Sequence, residues 1–453
     1  MGSEGGGSGA MNHVRSFLKG RHFPGTVRLS RRDKPGQQAF DSGSSSPTIA
    51  SVHMRNESRD SAAGSLDDEG TAGTTGLQGA ERCADGIGRM DLNDVGSCSP
   101  SSARSPMTPA VGSPFRSSTS DLRSMSDTRV KKFHKLLGEQ VVDLDALREL
   151  AWSGIPADLR PVCWQLLLGY LPPNRERREQ ILQRKRREYR DMVPEFYDIA
   201  NSERSEDELG ALRQVAVDVP RTAPGVAFFS RPAVQKSLER ILYIWGIRHP
   251  ASGYVQGIND LVTPFLAVFL SPHFESEGME EWGVDELAQE VMTAVEADSY
   301  WCLCKLLDGI QDHYTYAQPG IQRSIFHLKE LVRRIDEPVA QHLDNEGLEF
   351  LQFAFRWVNC LLIRELPFGL ATRLWDTYLA EGSRMRDFLI YVFAAFLLSW
   401  SAELKAMEFQ EMILFLQKLP TANWSEKDVE VVLSRAYMWR ASFDDARSHL
   451  TQS

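Results

Sequence analysis

An all-α fold behind a disordered tail is what this sequence predicts, on three observations. After residue 128, apolar residues recur at helical spacing with no strand-like alternation of useful length. All ten Trp and all eleven Tyr lie in that same region. The stretch before it holds four Phe among runs of Ser, Gly, Thr, Asp and Arg. So little apolar surface cannot offset an ordering cost of about 1 to 2 kcal/mol per residue. The expected organisation is a tail over 1–128 and one helical domain over 129–453.

Charge and cysteines narrow the function. Acidic and basic residues balance in the tail, so the net charge of -10 belongs to the domain, which argues against a nucleic-acid partner. Cysteines at 83, 98, 163, 302, 304 and 360 show no metal-ligand spacing, so no metal site and reduced thiols are expected. The start Met-Gly-Ser-Glu-Gly-Gly carries neither the apolar core of a signal peptide nor the Ser or Thr of a myristoylation site. Phe388 to Trp400, the longest uncharged apolar run, has 13 residues, against the roughly twenty that span a bilayer. It reads as a buried helix, in a cytoplasmic protein with peripheral membrane contact at most.

In chain order, the tail carries Ser-Pro and Thr-Pro pairs at Ser46, Ser99, Ser105, Thr108 and Ser113. Proline there favours extended backbone that a kinase can engage, making these candidate phosphosites and the tail a candidate ligand for phosphopeptide-binding proteins. Helical spacing begins with Val130, Phe133, Leu136 and Leu137 and repeats at Leu144, Leu147 and Leu150. Gly154-Ile155-Pro156 breaks one helix, and Pro156 suits the first turn of the next. Arg160, Trp164 and Leu168 then recur along one side. Residues 175–190 form a basic helix with a thin apolar face. A solvated face is the expectation, with an anionic membrane or acidic partner as the alternative.

An acidic loop is expected at 202–208, followed by Leu212, Val215 and Asp218-Val-Pro220-Arg221-Thr222-Ala-Pro224-Gly225. Two prolines and a glycine this close put Arg221 on a stiff, exposed loop. A helix starts near Ser230, read as its cap, and His249-Pro250 stops it. Tyr254-Val-Gln256-Gly257 opens a second loop or helix start, with Asn259 or Asp260 as cap for the run through Leu270. The intervening helix alone would hold the Arg and Gln loops about 24 Å apart at roughly 1.5 Å per residue. For the two to meet, 221–229 must fold back. Farther on, Glu296 to Trp301, Phe353 to Trp357, Arg364 to Pro367 and Arg373 to Asp376 pair aromatics with charges and read as core layers with buried ion pairs.

No self-contained catalytic set appears: no phosphate loop, no zinc helix, no nucleophile turn. What remains is a loop Arg and a loop Gln. In GTP hydrolysis an Arg neutralises charge building on the phosphoryl oxygens and a Gln orients the attacking water. Loop arginines are far more often plain surface charges.

Asp218-x-x-Arg221-Thr222 and Tyr254-x-Gln256-Gly257, with Gly154-Ile-Pro-x-x-x-Arg160-x-x-x-Trp164 upstream and Trp375-Asp376 downstream, resemble the TBC (Tre-2/Bub2/Cdc16) domain of Rab GTPase-activating proteins. Val215 departs from the family's usual Ile but keeps its branched shape. The stretch from Ile247 to Phe265, with Lys305 to Asp312, is most similar to the Golgi-associated member 22 branch. The resemblance implies an all-α fold in two helical subdomains, with its core motifs from residue 154. It also implies a Rab partner and no cofactor beyond the GTP and magnesium that the Rab carries. Arg221 would be an arginine finger and Gln256 a glutamine finger. Asp218 would orient the Arg loop, Tyr254 and Gly257 would shape the Gln turn, and Thr222 and Asn259 would join this supporting or Rab-contacting set. Arg160 and Trp164 would be scaffold. Two other roles are open: an adaptor that binds Rabs or Golgi proteins without catalysis, and a membrane-binding module working through the basic helix.

Overall fold

The computed structural model describes residues 119–275 and 278–450, with side chains from 127 to 443. The tail phosphosites Ser46, Ser99, Ser105, Thr108 and Ser113 lie outside the described residues.

Among the described residues the protein is helical throughout, with one isolated β-bridge between Val141 and Asn174. In order the helices are α1 (Thr119–Gly138), α2 (Leu144–Trp152), α3 (Arg160–Leu167), α4 (Arg175–Met192), α5 (Glu206–Asp218), α6 (Pro232–Arg248), α7 (Ile258–Leu270) and α8 (Gln289–Gly309). They continue with α9 (Pro319–Ile335), α10 (Glu337–Asn345), α11 (Phe350–Cys360), α12 (Phe368–Glu381), α13 (Met385–Leu397), α14 (Phe409–Gln417) and α15 (Glu426–Leu450). One hydrophobic core runs continuously from Phe133 to Ala436, so the helices of the two expected subdomains share a single interior.

The centre of that core is α7. Every one of its 13 residues is buried, because its sequence is apolar on all faces and so fits only an interior helix. It packs against α3, α6, α8 and α11. The stretch Phe368–Leu404 is long and apolar enough to pass for a membrane span. It is instead split at Gly382 (φ +56) into α12 and α13, both lined with buried residues.

The expected buried ion pairs are present. Asp376, Asp298, Glu296, Glu365 and Asp260 have side chains 0 to 4% exposed and meet Arg160, Arg186, Arg240, Arg356 and Arg364 respectively. Each acid is sealed in while its arginine reaches in from the edge, which keeps the buried charge partnered. The basic helix α4 follows this pattern at Arg186 and turns Arg178 onto the Pro172 and Pro173 carbonyls. Arg175, Arg177, Arg184, Arg187 and Arg190 remain exposed.

Several local expectations are corrected. The acidic loop expected at 202–208 is in part helical: 201–203 form a 3₁₀ turn, and from Glu206 the chain is already α5, whose Ser205 cap and Glu208 form a capping box. Helix α6 begins after Arg231 with Pro232 in its first turn, and Ser230 lies in the preceding 3₁₀ turn instead of capping it. Neither Asn259 nor Asp260 caps α7. Gly257 holds that place, and both polar residues turn inward from the first turn.

Candidate functional site

Arg221 sits at the end of a 3₁₀ turn, Val219–Arg221, that continues α5 instead of lying on an open loop. Pro220 fits there because the first positions of a helical turn need no N–H partner. Gln256 stands immediately before Gly257, at the entrance to the central helix α7. Both side chains are exposed, and among the described residues neither makes a hydrogen bond or ion pair through its side chain.

The residues beneath them are joined by hydrogen bonds. The Tyr254 hydroxyl donates to Asp218 Oδ2 at 3.0 Å and approaches Asn259 Oδ1 at 3.3 Å. Gln214 Nε2 donates to the same Asp218 oxygen. The Thr222 hydroxyl donates to the Asp218 carbonyl at 3.1 Å, and Asn259 Nδ2 donates to Thr222 Oγ1 at 3.0 Å. Asp218, Thr222, Tyr254 and Asn259 are all at most 4% exposed. The loop after Arg221 does fold back, and a buried network joins the two turns. Burial, then the Asp218 carboxylate beside it, pushes the Tyr254 pKa up, so the phenol stays a neutral donor at working pH.

The Gln turn is fixed from two more sides. Gly257 N–H donates to Asn259 Oδ1 at 2.9 Å, and the Gln256 carbonyl accepts from Asn359 Nδ2 at 2.9 Å. Gly257 has φ +109, and a Cβ there would overlap the Asn359 amide, so both backbone angle and space require glycine. Three residues on, Asp260 Oδ2 pairs with Arg364 Nε at 2.9 Å, anchoring α7 to the segment after α11.

Arg160 and Trp164 belong to a different cluster. Both donate to Asp376, at 2.9 and 2.7 Å, alongside the Ile155 N–H. Trp164 also meets Phe265 of α7 edge-on at 5.8 Å between ring centres. They brace the central helix from the side and join none of the bonds beneath Arg221 and Gln256. The residues that sequence reasoning missed are Gln214 and Asn359; Arg364 was expected in a buried ion-paired layer, without its link to the Gln turn. Asn359 carried a readable signal, a lone amide inside the apolar run Val358 to Ile363.

The arrangement presents a cation and an amide outward from mutually tied turns; among the described residues no group of three or more His, Cys, Asp or Glu could hold a metal ion.

Comparison with known proteins gives the family. The Rab-GTPase-TBC domain family matches residues 157–405. The chain is 51% identical over 324 residues to "GTPase-activating protein gyp1" of Schizosaccharomyces pombe, covering 71% of this chain and 63% of that protein. It is also 51% identical over 323 residues to "TBC1 domain family member 22B" of Homo sapiens, with the same two coverages, 71% and 63%. The chain therefore spans just under two thirds of the length of these relatives. Its fold matches the crystal structure of the Ypt/Rab-GAP domain of Gyp1p, with a TM-score of 0.67 and 46% identity over 70% of this chain and 99% of that one. With the matched stretch covering more than half of its length and containing both turns and their supporting network, the chain belongs to the Rab-GTPase-TBC domain family.

Proposed function

We propose that this chain accelerates GTP hydrolysis on a Rab-family GTPase by placing Arg221 and Gln256 together in the GTPase's active site. One observation carries the reading: two exposed side chains without partners among the described residues stand on turns that a buried network ties to each other. A side chain that served stability would be bonded at home. A side chain that serves another molecule is best left free on a rigid mount, because less ordering then remains to oppose the reaction.

In this reading the Arg221 guanidinium meets the charge that spreads over the transferred phosphoryl oxygens, and the Gln256 amide orients the attacking water. A guanidinium stays charged and forks onto phosphate oxygens, which a lysine cannot reproduce. The GTP and its magnesium belong to the Rab. The supporting residues hold Arg221 and Gln256 still. The same reading puts the chain at the cytoplasmic face of the membrane that carries its Rab, and the resemblance to the member 22 branch suggests the Golgi.

The test is GTP hydrolysis by a panel of purified Rabs with wild-type chain or Arg221→Ala added. Arginine fingers contribute about 10³ to 10⁵ in rate. Wild type should stimulate one or a few Rabs by orders of magnitude, and Arg221→Ala should lose nearly all of that while still binding them. Binding of Rabs with no stimulation by wild type would favour the adaptor role instead.

A further inference from the structure

We propose that Asn359 is a positioning residue for Gln256, acting with Asn259 to clamp a single peptide group. This inference rests on the function proposed above. The carbonyl oxygen of Gln256 and the N–H of Gly257 belong to the same planar peptide unit. Asn359 Nδ2 holds the first at 2.9 Å and Asn259 Oδ1 holds the second at 2.9 Å. With both polar atoms held, that plane cannot turn about the bonds on either side of it. Among the described residues the Gln256 side chain has no hydrogen bond or ion pair that would orient it, so its direction depends on this backbone.

Asn359 is itself well held. It lies near the end of α11, and its own carbonyl accepts from the Tyr314 hydroxyl at 2.8 Å. Immediately beyond Cys360 the chain turns sharply through Leu361 and Leu362, at φ 49 and 64. The amide fills the space that a Cβ at position 257 would take, so Gly257 and Asn359 require each other.

Stability alone does not favour an asparagine here. Position 359 is 6% exposed and its Oδ1 has no partner among the described residues, a deficiency that costs about 1 to 3 kcal/mol. Leucine has nearly the same shape and would remove that deficiency. What leucine lacks is the donor to the Gln256 carbonyl. The amide cannot be turned over either, since that would set Oδ1 against the carbonyl oxygen.

The experiment uses the full chain and the Rab that the panel identifies, measuring kcat and KM for stimulated hydrolysis. Asn359→Asp keeps the shape but replaces the donor with an acceptor, and Asn359→Leu removes both polar atoms. Asn359→Asp should lower kcat by about tenfold or more with KM changed less than about threefold, as for an interaction used in the transition state. Asn359→Leu should lower kcat with the melting temperature little changed, since it removes one unpartnered acceptor, Asn359 Oδ1, and leaves another, the Gln256 carbonyl. In a Gln256→Ala background Asn359→Asp should cost nothing further, because the residue acts only through that glutamine. The proposal is overturned if Asn359→Asp stays within about twofold of wild type in kcat. Equal losses in both backgrounds overturn it too, as they mark a general weakening of the fold. A wild-type chain that stimulates no Rab would overturn the underlying function, and this role with it.

Discussion

Asn259 Nδ2 donates to Thr222 Oγ1 across 3.0 Å, bonding the residue after Arg221 to the first turn of the helix that Gln256 introduces. Through this bond and the Tyr254 contact to Asp218, two segments more than thirty residues apart behave as one rigid mount. Neither network residue can shift without moving both exposed side chains.

Replacing Tyr254 with Phe tests that mount. The ring's packing survives, but Asp218 Oδ2 keeps only its bond from Gln214. Leaving a buried acceptor short of a donor costs about 1 to 3 kcal/mol. Tyr254→Phe should therefore lower the melting temperature and reduce stimulated hydrolysis, although Arg221 and Gln256 are both intact. Wild-type hydrolysis rates in this variant would contradict the idea that the network positions the two side chains.

Arginines of two kinds should separate cleanly in stability measurements. Arg160 serves Asp376, whose side chain is fully buried and also accepts from Trp164 and Ile155. Breaking a buried pair costs about 3 to 5 kcal/mol, because a charge is stranded. Arg160→Ala should lower the denaturation midpoint severely. Arg221→Ala, at an exposed residue with no partner among those described, should stay within about 0.5 kcal/mol of wild type in chemical denaturation. A severe loss in Arg221→Ala would mean that this residue is structural.

His313 gives the fold an acid limit. It is 1% exposed, and among the described residues neither ring nitrogen has a hydrogen-bond partner. Burial lowers its pKa from 6.5 to about 4; Asp312 opposes that shift, while Arg386 and Arg323 add to it. Above the unfolded value, neither state carries the proton and the fold keeps its full stability. As pH falls below that value the unfolded chain is protonated first, and stability declines until the folded pKa is reached, by about 3 kcal/mol in all. Urea unfolding between pH 7 and pH 4 should show a smaller decline in His313→Leu than in wild type, and equal declines would contradict this assignment.

Much of this was legible in the sequence because it rests on short-range pattern. Helical spacing, the aromatic and charged layers around Glu296, Arg356 and Asp376, and the buried run from Phe388 to Trp400 all follow from local periodicity. The return of the chain from Arg221 toward Gln256 does not. It depends on bonds such as Tyr254 to Asp218, which join the end of a helix to a turn more than thirty residues farther on and leave no periodic trace. Asn259 shows why caps are hard to read: an amide at the start of an apolar helix has the composition of a cap, yet here it turns inward toward Thr222 and Gly257. Asn359 was harder still, since its partner lies about a hundred residues away in sequence.

The most direct test of the central claim uses a Rab whose own water-positioning glutamine has been replaced by alanine. If Gln256 supplies that function from outside, wild-type chain should still stimulate this Rab by orders of magnitude, and Gln256→Ala should not. If the wild-type chain fails on the altered Rab, or if Gln256→Ala works as well as wild type, the water is oriented by the Rab itself and the two-residue account is wrong.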